Sequence, residues 1–121
     1  MRETVAVVRT LIREGHVRFG TNMIRIENFD LWYAPRCRDV PAYLSAVLPK
    51  GIALGGEVAD GIILTRSTLD TAATVRSKLA DAARSVGRDP GKIEITTLLP
   101  TSVADDRGAA FAALCAACLS P

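Results

Sequence analysis

The apolar and polar positions change period twice along this chain. From Thr4 to Glu14 the apolar residues Val5, Val8, Leu11 and Ile12 recur at helical spacing, with Arg9 and Arg13 opposite and Gly15 as a stop. The spacing then shortens. Val17 and Phe19, followed by Met23, Ile24 and Ile26, predict two short strands turning at Gly20-Thr21-Asn22. An irregular connection punctuated by Pro35 and Pro41 comes next.

From residue 41 the pattern alternates. Apolar runs at Ala42–Val47 and Gly61–Thr65, and a third run at Lys92–Leu99, predict strands. Between and after them, helices are predicted over Lys50–Ala59, Leu69–Val86 and Ala104–Leu119. Continuous apolar strands alternating with helices predict a parallel sheet buried on both faces, within a single α/β domain over residues 1–121. In such folds ligands bind beyond the carboxyl ends of the strands. Three parallel strands also leave long edges open.

Composition narrows the picture. The chain has 121 residues, enough for one domain with a core, and a net charge of +2 with scattered basic residues, so no nucleic-acid partner is expected. It contains no run of 18 apolar residues, and charges interrupt the amino-terminal apolar stretch. No membrane partner is therefore expected, and a cytoplasmic location is. Three cysteines leave one unpaired, which fits a reducing compartment.

Four stretches then carry a family resemblance: FDLWYAP at 29–35, VPAYLSAVLPK at 40–50, GGEVADGIIL at 55–64 and GRDP at 87–90. Together and in this order, they resemble the luciferase-like monooxygenase family of flavin- and deazaflavin-dependent oxidoreductases, in its methylenetetrahydromethanopterin reductase-like branch. The resemblance implies a partial TIM (β/α)8 barrel: about three βα units of the barrel's second half, preceded by a helix and a hairpin. It implies FMN or the deazaflavin coenzyme F-420 as cofactor, a small-molecule substrate, and hydride transfer or monooxygenation. The family's ring pocket is built largely on earlier strands that have no counterpart here, so the isolated chain is expected to be incomplete for catalysis and no catalytic residue is assigned. A complementing barrel half or a homo-oligomer is the expected partner. The alternative is a non-catalytic remnant serving only as an assembly or interaction module.

The candidate cofactor residues lie after the first two barrel-like strands. Ser45, Ala46, Val47 and Lys50 lead into a helix start, where free amides and a lysine suit a phosphate. Thr65 and Arg66 offer a hydroxyl and a guanidinium, while Ser67 or Thr68 caps the next helix. Leu48 stands where the family has glycine, and its side chain restricts close backbone approach. Glu57 and Asp60 precede the second strand and so take structural roles at the opposite end. Cys115 and Cys118 fall on an Ala-rich helix and read as packing residues, with no metal site. His16 reads as a solvated helix-end residue, and Trp32 and Tyr33 as packing the connection against the sheet.

Overall fold

A computed structural model describes residues 1–65 and 67–119. Helix α1 (Arg2–Glu14) is followed by an antiparallel hairpin of β1 (His16–Gly20) and β2 (Arg25–Asp30). Then come β3 (Tyr43–Ser45), α2 (Pro49–Val58), β4 (Gly61–Thr65), α3 (Leu69–Ser85), β5 (Glu94–Leu98) and α4 (Arg107–Leu119). Strands β3, β4 and β5 form a parallel sheet in that order. The α/β class and the alternation of elements are as the pattern predicts.

Boundaries move where a side chain competes for backbone groups. Asp89 accepts the Gly91 amide at 2.9 Å, and Pro90 opens a 3-10 turn through Lys92, so β5 begins at Glu94 rather than Lys92. Asp106 accepts the Ala109 amide at 2.7 Å and starts α4 three residues after the predicted Ala104. In the hairpin, Thr21 Oγ1 accepts the Met23 and Ile24 amides at 3.2 and 3.1 Å. That draws Met23 and Ile24 out of the predicted strand and into the turn.

The core lies between the sheet and two helices. Ile52 of α2, Ile62 and Leu64 of β4, and Val75 and Leu79 of α3 are all nearly inaccessible, and Ala46, Ala72, Ile93 and Ile95 pack around them. Burial of each such branched side chain contributes about 1.5–3 kcal/mol. The expectation of a sheet buried on both faces is corrected here. Both crossovers place their helices on the side of Ile62 and Leu64, and on the other side Ser45, Thr65, Glu94, Thr96 and Leu98 are exposed. Three strands in sequential order give nothing among the described residues to cover that second face.

Helix α1 also departs from its predicted face. Val5 and Val7 are buried, Val8 is 46% exposed, and Arg9 turns inward to pair with Asp60 at 2.6 Å. Trp32 is 91% exposed and makes a T-shaped contact only with neighbouring Tyr33, so this pair does not pack the connection against the sheet. A helix period cannot tell which stripe meets protein when a helix lies against a sheet end as well as a hairpin.

The GRDP stretch is a clamp. Gly87 takes φ 73 and ends α3. Arg88 then donates to the Gly56 and Ala59 carbonyls at 2.8 and 2.7 Å, satisfying the carboxyl end of α2. Gly56 lets α2 press on α3: a Cβ there would stand 2.6 Å from the Leu79 carbonyl oxygen and 2.9 Å from Ala82 Cβ.

Asp60 joins the pieces at the amino end of the sheet. Its carboxylate accepts the Ala42 amide at 2.7 Å as well as Arg9, while its amide donates to Ala42 and its carbonyl accepts from Glu94. Glu57 pairs with Arg2. Asp60 thus holds α1 onto the end of the sheet, and Glu57 holds it onto α2. Partial burial pushes the Asp60 carboxyl up, but the Ala42 amide, the Arg9 hydrogen bond and charge, and the Arg88 charge outweigh it and hold its pKa below the ordinary value.

Two predictions follow from this packing. Gly56→Ala forces α2 off α3 and lowers the free energy of unfolding by about 1–3 kcal/mol, read by urea titration. Asp60 has a folded pKa below its unfolded one, so its stabilisation is present above about pH 4 and is lost as pH falls through the folded pKa. Wild type should therefore exceed Asp60→Asn in stability at pH 7 by about 1 kcal/mol, and that gap should narrow as pH falls below about 4.

Candidate anion site at the carboxyl ends of the strands

Register sets the height of the candidate residues. Ser45 pairs with Ile63, so Thr65 stands two residues further along, level with the loop that continues to Val47. The two predicted segments therefore meet on adjacent strands at one end of the sheet. Glu57 and Asp60 lie at the other end, where the sequence placed them. Arg66 lies outside the described residues.

The loop 45–50 divides its residues by role. Ser45 is exposed at the strand end, Val47 is 62% exposed, and Ala46 gives its side chain to the core. Leu48 has φ −86 and ψ 147, an extended conformation open to any L-residue, and is 71% exposed. The backbone here needs no glycine, because the leucine side chain turns to solvent.

Two helix starts border this end, and they differ. At α2 no side chain among the described residues caps the first amides, Pro49 occupies the first turn, and no acidic residue is present there. Lys50 is exposed and has no ion-pair partner among the described residues. At α3 the Thr68 hydroxyl accepts the Thr71 amide at 3.2 Å, and Asp70 lies in the first turn. One helix start is open and basic; the other is closed by its own residues and acidic. An anion is therefore favoured at the α2 start by unsatisfied amides, the dipole and Lys50, and disfavoured at α3.

One contact at this end was not legible in the sequence. Ser67 Oγ and Thr97 Oγ1 lie 3.2 Å apart, joining the segment after β4 to β5. The two residues are thirty positions apart, and only the parallel register aligns them. Between the starts of α2 and α3 runs an open groove lined by Val47, Pro49, Asp70, Thr74 and Lys78. Elsewhere, Tyr43 reaches across Gly61 and its hydroxyl donates to the Glu94 carboxylate. That hydrogen bond, with some desolvation and the charges of Glu94 and Asp60, raises the phenol pKa. This strap lies at the amino end, away from the candidate site.

The expectation that Cys115 and Cys118 both pack is corrected, because Cys118 is exposed and Cys115 only half-buried. Cys115 and Cys118 are unbridged on α4, and no group of three or more metal-ligating side chains occurs among the described residues. His16 is exposed, 3.9 Å from Glu14. Among the described residues no helix is long and apolar enough to cross a membrane.

Sequential parallel strands with an open helix start at their carboxyl ends define an α/β protein built of βα units. The chain belongs to the luciferase-like monooxygenase family, whose model matches residues 1–120. It is 27% identical over 112 residues to a 5,10-methylenetetrahydromethanopterin reductase of Methanolobus tindarius, covering 93% of this chain and 34% of the relative. It is similar in structure to an F-420-dependent secondary alcohol dehydrogenase in complex with an F-420–acetone adduct, with TM-score 0.80, 31% identity, and coverage of 98% of this chain and 37% of that one. A coenzyme F-420-dependent tetrahydromethanopterin reductase from Methanopyrus kandleri shares the fold with TM-score 0.81 at 23% identity, over 93% of this chain and 33% of its own. This chain thus spans about a third of the length of these relatives.

The contrast between the helix starts predicts different outcomes for their residues. Thr68→Ala removes the α3 cap and lowers stability by about 1 kcal/mol in urea unfolding. Lys50→Ala, at the uncapped start, leaves the unfolding midpoint unchanged.

Proposed function

We propose that this chain is the cofactor-phosphate-holding part of a luciferase-like oxidoreductase, made of three consecutive βα units of a (β/α)8 barrel, and that it takes the deazaflavin coenzyme F-420 in preference to FMN. The observation that carries the reading is the α2 start: uncapped amides, no acidic residue and an exposed Lys50, at the carboxyl end of a parallel sheet. The likeness to F-420-dependent relatives supports the choice of coenzyme. When bound, the coenzyme supplies the hydride-transfer chemistry.

The chain's own residues act on the phosphate end. The amides of Lys50 and Gly51 are oriented along the helix axis towards an anion, and the Lys50 ammonium adds charge. Ser45 and Thr65 flank them as hydroxyl donors at the ends of adjacent strands, and the Val47 backbone borders the loop. Arg66 belongs to the same proposed set by its place in the sequence. Ala46 contributes by packing the loop onto the core. The small-molecule substrate and the reacting ring would be held by βα units outside these three, as in a protein of the relatives' length.

Fluorescence titration of the purified chain tests the reading. Coenzyme F-420 should bind at micromolar concentration and more tightly than FMN. Lys50→Ala should weaken that binding about 5-fold, the effect of one exposed phosphate–ammonium contact near a helix start. A folded chain that binds neither coenzyme overturns the proposal.

A further inference from the structure

A groove leads away from the α2 start. It holds about 300 Å³ between α2 and α3 and begins at Val47 and Pro49. Along its other wall stand Asp70, Thr74 and Lys78 of α3, at the four-residue spacing that puts them on one face. Buried Val75 forms its floor. From Asp70 to Lys78 the wall runs about 12 Å along the helix axis. Just beyond, Gly56 lets α2 press on Leu79 and Ala82, which brings the two helices together.

The charges along the groove are uneven. Lys50, next to Pro49 at its head, and Lys78 at its foot have no ion-pair partner among the described residues. Asp81, three positions beyond Lys78, pairs with Arg84 at 3.1 Å instead. Asp70, near the head, is the one carboxylate among the described lining residues. The groove therefore carries a free cation at each end. Both walls are consecutive helices, and in a (β/α)8 barrel the helices form the outer ring, so further βα units leave this groove in place.

Coenzyme F-420 carries its phosphate as a diester, with an acidic lactyl-glutamyl tail beyond it, whereas the FMN phosphate is terminal. A site for the F-420 phosphate therefore needs an exit for a chain of carboxylates. We infer that the groove between α2 and α3 is the subsite for this tail, with Lys78 as its cation. With the phosphate at the α2 start, the lactyl unit, uncharged where it is joined to glutamate, passes Asp70. The glutamyl carboxylates beyond it then lie towards the Lys78 ammonium, a compact point charge on a flexible stem. This inference rests on the anion site proposed for the α2 start.

Fluorescence titration of the full chain tests it with two probes: coenzyme F-420 bearing several glutamates, and the form that lacks glutamates. At low salt the long-tailed form should bind about 3-fold more tightly, the effect of one exposed ion pair. Added salt should close that gap. Lys78→Ala, at an exposed side chain, should also close it, with circular dichroism and the affinity for the short form unchanged. Lys78→Arg, which keeps the charge, should retain it. Long-tailed binding no tighter than short, or a gap that survives Lys78→Ala, overturns this inference alone and leaves the phosphate site standing. A folded chain that binds neither form overturns both.

Discussion

Asp60 occupies the point on which the sheet and the first helix both depend. Its carboxylate holds the Ala42 amide and Arg9, and its backbone bonds to Ala42 on one side and Glu94 on the other. One residue therefore fixes the starts of β3, β4 and β5 relative to one another and docks α1 onto that end. Arg88 adds its charge nearby while closing the carboxyl end of α2. A partly exposed carboxylate with several partners is worth more here as a register pin than as an ion pair, because surface ion pairs are individually weak.

The register fixed at the amino end decides what meets at the other. Ser45 aligns with Ile63 and Thr65 with Leu98, which puts the loop before α2 beside the segment before α3. The two helix starts then differ through ordinary capping chemistry: Thr68 closes one, and nothing among the described residues closes the other. This difference gives two successive βα units unlike helix starts. The chain's family includes an F-420-dependent alcohol dehydrogenase that shares the fold over 98% of this chain.

Much of the fold was legible. Period and punctuation gave the order of elements, and β4 falls within its predicted bounds because both its neighbours and its turn residues agree. Errors arose where distant groups compete. Arg9 was read as solvent-facing because nothing in a helix period points to a carboxylate fifty-one positions away. Trp32 was read as packed because aromatic rings usually are, but among the described residues its side chain is left 91% exposed. The Ser67–Thr97 contact carries no local signal at all.

The sequence by itself determined the α/β class, the alternation of strands with helices, and the two segments that end at the carboxyl side. These follow from local spacing, capping and turn chemistry, which act over a few residues. Only the tertiary structure decided that both crossover helices lie on one face of the sheet and that α2 rather than α3 offers its amides. Those depend on register and on which side the crossovers fall, and both are set by contacts between residues far apart in the chain.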